Sequence, residues 1–529
     1  MAVHVRDILL APHLVPGRAE SLLAPYGFRD PGAADRNLQA IAADPATRGL
    51  LAEILEELLR CLAESADPDA ALNHLERFFK TSGSTLALLS HLRENPRAID
   101  ILARTFGSSS FMAEILVRHP SWLYWLSEAE VLARPRTRVE VEQDLDRALE
   151  PLQSERRRLD LLRITRRREI LHIGVRDLLR LSSVIETVEA LSGLAEALIQ
   201  KAYETSEAAL RREHALPTLA EAGARESARS GFAVLGMGKL GGGELNFSSD
   251  IDLVYVYASD HGRMAPLATA PGRADFNKTL ALRLTAALAD LTDEGYVYRV
   301  DLRLRPEGRV GPVAQSLTAC EEYYRTRGAT WERMALVKAW PVAGDHRVGQ
   351  SFLRRVGGFV YGRPFLDREM AEVRRIKREI DGKIAARDES HRNVKLGVGG
   401  IREIEFVAQI LQIRHGLADP RLRVRNTLAA LEALTERHFL AASDHATLKL
   451  AYVFLRDVEN KLQMVADAQT HSLPRSEDEL HLCARRLGYR ADLGSSPARL
   501  LLRDHQTHTE AVHRIFERVL DDQGSFGSR

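Results

Sequence analysis

One stretch of the chain, residues 231–257, limits the folds that the whole sequence can adopt. It reads GFAVLGMGKLGGGELNFSSDIDLVYVY, which predicts a strand, a glycine-rich turn, a short helix and a second strand. Asp250 and Asp252 are two residues apart on that second strand, so both carboxylates point to the same face. Two neighbouring anions need a cation to offset their repulsion. A divalent metal ion that carries a nucleotide phosphate is suited to this role.

A third carboxylate follows on a later stretch. Residues 296–308, YVYRVDLRLRPEG, alternate apolar and charged side chains, which predicts a strand with Asp301 on its charged face. If the two strands are neighbours in one sheet, Asp250, Asp252 and Asp301 converge and suit one or two Mg²⁺ ions. A lone Asp-x-Asp pair is more often part of a loop or a strand edge. The glycine turn before the pair and the third aspartate after it favour a site.

The glycine turn permits close approach of a phosphate to the backbone, and it opens a helix whose N–H groups attract anions. Gly236-Met237-Gly238 is similar to the start of a dinucleotide-binding motif, which requires a long crossover helix and an acidic residue about 20 positions on. Asp250 and Asp252 follow Gly238 by only 12 and 14 residues, which leaves room for a short helix alone. Because Lys239 is not followed by Ser or Thr, the turn is not a P-loop either.

The remainder of the sequence has mainly helical periodicity. Residues 156–181 combine many arginines with leucines and isoleucines at helical spacing, which predicts a helix with one buried stripe and one solvated basic face. The small, polar residues 220–231 indicate an exposed connection ahead of the first strand.

Charge and composition exclude several classes of function. Lys and Arg number 74 against 73 Asp and Glu, so the net charge of +1 provides no overall attraction for nucleic acid or for an anionic membrane. The three cysteines are few, odd in number and far apart, which is typical of a reducing cytosol. No stretch approaches the roughly 20 apolar residues of a membrane span. We therefore expect a cytoplasmic protein that binds neither nucleic acid nor membrane.

The short-helix spacing is typical of the nucleotidyltransferase fold. GMGKLGGGELNFSSDIDL resembles the catalytic cassette of the glutamine synthetase adenylyltransferase family, a branch of the polymerase-β-like nucleotidyltransferases. The resemblance continues in order through VYRVDLRLRPEGRVGPVA, TWERMALVKAWPVAGD and KLGVGGIREIEFVAQILQIRHG. It implies a predominantly helical α+β protein with an N-terminal helical region over 1–215, a catalytic core over 216–345 and a C-terminal helical region over 346–529.

The resemblance also implies a reaction. Family members have two homologous halves, one of which transfers AMP from ATP to a tyrosine of glutamine synthetase. The other half removes that AMP with inorganic phosphate and yields ADP. We expect this sequence to hold a single half, and its motifs look more like the N-terminal, adenylyl-removing half. The partners implied are glutamine synthetase, ATP or ADP with phosphate, and a PII-type signal protein.

Roles for individual residues follow from the same resemblance. It implies Mg²⁺ or Mn²⁺ held by Asp250, Asp252 and Asp301, and it assigns Asp301 to activation of the acceptor if that acceptor is a tyrosine hydroxyl. Nucleotide or phosphate contacts are expected at the turn, before the aspartate pair and on the charged face of the later strand, at Gly238, Lys239, Ser249, Arg303 and Arg305.

Several alternatives stay open at the level of sequence. Arg303 and Arg305 are as well suited to pairing with the aspartates as to binding phosphate. Residues 397–405 fit either a capped helix start or a loop that closes over the substrate. The reaction could run as ATP-dependent adenylylation, or the chain could be a non-catalytic docking module, which the three aspartates disfavour. A uridylyltransferase of signal proteins is disfavoured because the sequence has no His-Asp dipeptide.

Overall fold

The computed structural model describes residues 4–11, 17–216, 231–264, 270–492 and 494–521. Helices account for 66% of the structure, and the strands form one small mixed sheet. This confirms the expected α+β class with a predominance of helix. The connection predicted at 220–231 lies outside the described residues except for Gly231. Within the described ranges, no helix is both long and apolar enough to cross a membrane.

The chain divides into two compact units, each assembled from separate segments. The first comprises Met1–Pro135, Arg167–Thr187 and Asp457–His505, and the second comprises Arg136–Arg166, Val188–Arg456 and Gln506–Arg529. The three consecutive regions expected from the sequence, with boundaries after residues 215 and 345, stay predictions.

The first part of the chain is all helical, and its helices begin at recurring sequence signals. Asp30, Asp44 and Asp67 each precede a proline and accept a backbone N–H of the following first turn. An N-cap carboxylate and a proline at the first helical position both favour helix initiation. The helices here are α1 (Asp7–Leu10), α2 (Arg18–Leu23), α3 (Pro31–Ile41), α4 (Pro45–Glu64), α5 (Pro68–Thr81), α6 (Thr85–Glu94), α7 (Pro96–Phe106), α8 (Ser110–Arg118), α9 (Trp122–Ser127) and α10 (Ala129–Ala133).

The rest of the chain interleaves helices with the strands of the sheet. The strands are β1 (Phe232–Gly236), β2 (Ile251–Tyr257), β3 (Val300–Asp301), β4 (Ala314–Ser316) and β5 (Trp340–Gly344). The helices are α11 (Arg138–Leu149), α12 (Glu155–Leu178), α13 (Val184–Glu213), α14 (Gly238–Gly242), α15 (Arg273–Ala289), α16 (Leu317–Thr326), α17 (Thr330–Leu336), α18 (His346–Val360), α19 (Asp367–Ala385), α20 (Ile401–His415), α21 (Thr427–Glu436), α22 (Ala442–Gln463), α23 (Glu477–Arg486) and α24 (Pro497–Asp521).

The sheet belongs to the second unit. β1 pairs antiparallel with β2 on one side and with β5 on the other. The opposite edge of β2 is shared by two short parallel partners, because β3 pairs with its first residues and β4 with its last. All five residues of β1 are buried, and α18 packs against β1 and β5. The predicted order of strand, short helix and strand is confirmed by β1, α14 and β2.

The prediction of a long strand over residues 296–308 is wrong. Only Val300 and Asp301 form ladder bonds, and residues 303–311 turn back on themselves with Glu307 and Gly308 at positive φ. An alternating sequence forms a strand only where a neighbouring strand is available for pairing. The free edge of β2 pairs with β3 at its first residues and with β4 at its last, so β3 stays short. The prediction that Asp301 lies on a strand beside the aspartate pair is nevertheless confirmed.

The prediction of a solvated basic face on the arginine-rich helix is also wrong for three of its arginines. Arg163 is buried and donates to the Asp290 carbonyl at 3.2 Å. Arg166 is buried over the rings of Tyr296 and Tyr298. Arg176 is buried and donates to the Leu181 carbonyl at 2.9 Å. Backbone carbonyls and aromatic rings, rather than water, are the partners of these guanidinium groups. The periodicity of the sequence cannot predict such partners.

The close packing of α14 against the loop before β5 provides a test of the fold. A Cβ added at Gly241 would lie 2.0 Å from the Lys338 carbonyl oxygen and 2.5 Å from that of Gly236. We expect Gly241→Ala to lower the free energy of unfolding by about 3 kcal/mol, since backbone atoms cannot yield as side chains do. Gly357→Ala in α18 is the matched control, because nothing lies within 4 Å of its added Cβ. Urea unfolding of both variants should show the control unchanged or about 1 kcal/mol more stable.

Candidate active site

The register of the sheet brings the three aspartates together. Asp252 in β2 is the direct partner of Asp301 in β3, and Asp250 lies immediately before β2. Residues paired across adjacent strands place their side chains on the same face of the sheet. The convergence expected from the sequence therefore follows from one pair of neighbouring strands.

Two of the three carboxylates are paired with arginines that follow in the chain. Arg299 donates from Nε to Asp250 Oδ1 at 2.7 Å, and it also donates to the Ser248 carbonyl at 2.6 Å. Arg303 donates from its backbone N–H to Asp301 Oδ1 at 2.8 Å and from Nε to Oδ2 at 2.7 Å. Burial opposes the effect, but these hydrogen bonds from Arg303 hold the pKa of Asp301 below its ordinary value.

Asp252 is in a different electrostatic environment. Burial raises its pKa to about 6, and the charges of Asp301 and Asp250 add to the shift. The positive charges of Lys395 and Arg402 act in the opposite direction. Of the three carboxylates, Asp252 is therefore the one whose ionised form a nearby cation would stabilise most.

The donor chemistry suits a hard divalent cation, since all three side chains offer carboxylate oxygens. The arrangement is not that of an assembled metal centre: within the described residues, no three His, Cys, Asp or Glu side chains form a group that could hold a metal ion. Arg299 and Arg303 instead supply the compensating charge for Asp250 and Asp301. Metal binding by the three aspartates stays a prediction.

The glycine turn lies directly against the aspartates. Gly238 has φ +53°, and an added Cβ would lie 3.0 Å from Asp252 Oδ2, so glycine is required there for both conformation and space. Lys239 lies in α14 beside Gly238. Ser249 accepts a hydrogen bond from the backbone N–H of Asn246 at 3.3 Å, within the turn that leads to the aspartate pair. The structure thus brings the predicted turn residues next to the aspartates, and their contacts with a nucleotide stay predictions.

Arg305 lies apart from the aspartate ion pairs. Its guanidinium donates to the Leu302 carbonyl at 2.8 Å, to the Pro312 carbonyl at 3.1 Å and to the Gly311 carbonyl at 3.1 Å. Those contacts hold the loop after β3 in its turned shape. Of the two arginines proposed from the sequence, Arg303 is the one that touches an aspartate of the site.

A buried group of three charges joins the glycine turn to the later helices. Lys338 Nζ donates to Glu244 Oε2 at 2.7 Å and to Glu405 Oε1 at 2.6 Å. All three are buried, with exposed fractions of 4% for Lys338, 1% for Glu244 and 8% for Glu405. Burial alone would raise the pKa of Glu405, but Lys338 and then Arg402 lower it to about 2. Glu244 also accepts the Thr427 backbone N–H, so the ion group connects four separate segments.

The contacts that matter here were only partly visible in the sequence. Arg299 is on the charged face of the alternating stretch, which could have identified it as a partner for the aspartates. Lys338 lies in the TWERMALVKAWPVAGD motif, and the structure buries it between two glutamates. Nothing in the local pattern marks Glu244 as its partner, because the two residues are 94 positions apart.

Comparison with known proteins gives matches over nearly the whole chain. The family model described as glutamate-ammonia ligase adenylyltransferase matches residues 99–355, and the one described as GlnD PII-uridylyltransferase matches residues 373–520. A bifunctional glutamine synthetase adenylyltransferase/adenylyl-removing enzyme of Streptomyces coelicolor is 34% identical over 518 residues, which are 96% of this chain and 48% of the relative. The same kind of enzyme from Thioalkalivibrio sulfidiphilus is 36% identical over 79% of this chain and 42% of its own length.

The chain belongs to the glutamine synthetase adenylyltransferase/adenylyl-removing enzyme family. It spans about half the length of the curated relatives it matches. The adenylyltransferase family model covers β1 to β5 and hence all three aspartates. The resemblance inferred from the four motifs is thereby confirmed.

The raised pKa of Asp252 makes a prediction about stability in metal-free buffer. A carboxyl whose pKa is near 6 in the folded state and about 3.9 in the unfolded state stabilises the fold when protonated and loses that contribution as pH rises through 6. We therefore expect Asp252→Asn to raise the free energy of unfolding at pH 8 by about 1–3 kcal/mol, as measured by urea unfolding. The difference should shrink toward zero near pH 4. Equal differences at both pH values would contradict this electrostatic account.

The buried ion group makes a second prediction. Lys338→Met leaves Glu244 and Glu405 buried without their cation, and removal of one partner of a buried ion group costs about 3–5 kcal/mol. We expect urea unfolding to show a loss of that size. Combining Lys338→Met with Glu244→Gln and Glu405→Gln removes the unpaired charges and should recover most of it. If the triple variant is no more stable than Lys338→Met, the loss is one of packing rather than of charge.

Proposed function

We propose that this chain catalyses nucleotidyl transfer on glutamine synthetase, at the site formed by Asp250, Asp252 and Asp301. The observation that carries the proposal is the direct pairing of Asp252 with Asp301 across β2 and β3, with Asp250 two residues before. Family membership supports the substrate, because the curated relatives are named for action on glutamine synthetase.

We further propose that the chain removes AMP from adenylylated tyrosine by phosphorolysis. An oxygen of inorganic phosphate bonds to the AMP phosphorus, the bond from that phosphorus to the tyrosine oxygen breaks, and the tyrosine oxygen takes up a proton. ADP and unmodified synthetase are the products. The hydrogen bonds from Arg303 to Asp301 support this direction, because they make Asp301 a weak base. Phosphate is already anionic and needs no strong base, whereas a tyrosine hydroxyl with a pKa of about 10 does.

The cation required by this chemistry is proposed to be Mg²⁺ or Mn²⁺, held by Asp250, Asp252 and Asp301. When bound there, the ion would supply positive charge to offset that of the phosphate. Gly238, with Lys239 and Ser249, is proposed to bind the nucleotide phosphate where the turn meets the aspartates. Arg303, whose side chain is 61% exposed, is proposed to donate to phosphate oxygens.

The helical region after the sheet is proposed to receive a regulatory signal. The match of residues 373–520 to the model described as GlnD PII-uridylyltransferase supports a PII-type signal protein as the effector. We propose that the chain acts in the cytoplasm, where its buried, unpaired cysteines Cys61, Cys320 and Cys483 would stay reduced.

The direct test is incubation of AMP-modified glutamine synthetase with inorganic phosphate and Mg²⁺. We expect ADP to form, and we expect Asp252→Asn to lower its rate of formation at least about 100-fold, as loss of an essential charge in a catalytic site does. Asp293→Asn is the matched control, because Asp293 is exposed in a turn outside the site and should leave the rate unchanged.

Two results would contradict parts of this proposal. If ADP never forms while ATP and unmodified synthetase give AMP-tyrosine, the chain is an adenylyltransferase and the proposed direction is wrong. If the chain binds synthetase without turnover in either direction, it is a docking module, and Asp252→Asn should then leave binding unchanged.

A further inference from the structure

The loop that joins β3 to β4, residues 302–313, begins directly after Asp301 and carries an apolar side chain that faces solvent. Val310 in this loop is 92% exposed, the largest exposed fraction of any large hydrophobic side chain in the described part of the chain. A single exposed apolar residue is common on protein surfaces and by itself indicates nothing. What sets Val310 apart is the backbone that holds it and its place beside the aspartates.

The β3–β4 loop is held in one shape by contacts within itself. The Arg305 guanidinium donates to the Leu302 carbonyl at 2.8 Å and to the Arg309 carbonyl at 3.2 Å, which joins the start of the loop to its far side. A Cβ added at Gly311 would lie 2.3 Å from the Pro306 carbonyl oxygen, so the two sides of the turn are in direct contact. The segment that carries the exposed valine is therefore a closed turn.

An ion pair fastens the same loop to α16. Glu307 has φ +63°, a left-handed conformation that is uncommon outside glycine. Its carboxylate pairs with the guanidinium of Arg327, which directly follows α16 and lies over the Tyr323 ring at 5.0 Å from the ring centroid. Such a conformation persists only where the surroundings hold it, and residues of this kind are concentrated at sites that bind ligands. The loop is therefore preorganised although its outer part touches solvent.

Val310 is within reach of a polypeptide held at the aspartates. Arg303 is hydrogen-bonded to Asp301, and a Cβ added at Gly308 would lie 3.6 Å from the Arg303 carbonyl oxygen. Since Val310 is two residues beyond Gly308, its Cα lies at most about 22 Å from that of Asp301. An extended polypeptide covers that distance in about seven residues. Residues that flank a tyrosine in the site can therefore contact the loop.

We propose that the β3–β4 loop, with Val310 as its apolar contact, binds the polypeptide of glutamine synthetase that flanks the AMP-modified tyrosine. This rests on the proposed function, in which the substrate is a protein, and it names the surface that recognises the protein part. A rigid loop loses little conformational freedom on binding, so the gain from burial of an apolar side chain is retained. Nucleotide and phosphate bind at the aspartates, so Val310 should contribute nothing to the affinity for ADP.

Binding of AMP-modified glutamine synthetase to the full chain tests this surface. Isothermal titration without phosphate, which prevents the transfer, compares the unsubstituted chain with Val310→Ser, and ADP is titrated into the same proteins. We expect the dissociation constant for AMP-modified synthetase to rise about tenfold in Val310→Ser, because the burial of a valine side chain is lost. The dissociation constant for ADP should stay the same. Val310→Ile retains the apolar contact and should bind the synthetase as the unsubstituted chain does.

Leu450→Ser is the matched control, because Leu450 is 65% exposed in α22 of the same unit and the substitution removes a similar apolar side chain. We expect this control to bind AMP-modified synthetase with unchanged affinity, and thermal unfolding shows that each variant is folded. A folded Val310→Ser that binds the synthetase as tightly as the unsubstituted chain overturns the proposal. An equal loss of affinity for ADP also overturns it, because the loop would then act on the nucleotide site.

The outcome also distinguishes this surface from the proposed reaction. If Val310→Ser weakens binding of AMP-modified synthetase, but the unsubstituted chain forms no ADP with phosphate and Mg²⁺, the binding surface stands and the direction of transfer fails. If ADP forms and the Michaelis constant for AMP-modified synthetase is the same in Val310→Ser and the unsubstituted chain, the reaction stands and the binding surface fails.

Discussion

The arrangement of the site depends on the buried bridge that Lys338 makes between Glu244 and Glu405. Glu244 follows the glycine turn, Lys338 precedes β5, and Glu405 lies in α20, so one ammonium group joins three segments that are distant in sequence. Buried charges of this kind stabilise little in net terms, but they are costly to break. Their effect is to specify one relative placement of the glycine turn, the sheet and α20.

Two of the three aspartates have their charge offset by arginines of the same chain. Asp250 and Asp301 are neutralised by Arg299 and Arg303, which are neighbours of Asp301 in the chain. Asp252 has no such partner among the described residues, and its pKa is raised to about 6 by burial and by the two other carboxylates. Asp252 is thus the one carboxylate of the three whose negative charge is not offset by an arginine in the described part of the chain, and it lies against the glycine turn at Gly238.

Much of this site could be predicted from the sequence, because its central elements are local. The strand, turn and strand over residues 231–257 were predicted correctly, since apolar runs, glycine and spacing are properties of neighbouring residues. Asp301 was placed correctly beside Asp252 although the strand that carries it is two residues long rather than about a dozen. The alternation over residues 296–308 carried no information about whether β2 would have an edge available.

The sequence by itself determined the family, the class of fold and the three aspartates, because four motifs in a fixed order leave few alternatives. Only the tertiary structure decided the partners of the charged groups. Arg303 contacts Asp301 whereas Arg305 holds a loop, and Lys338 is buried between Glu244 and Glu405. The physical reason is that the partner of a charge is set by distance in space. Glu244 and Lys338 are 94 residues apart in the chain and 2.7 Å apart in the fold.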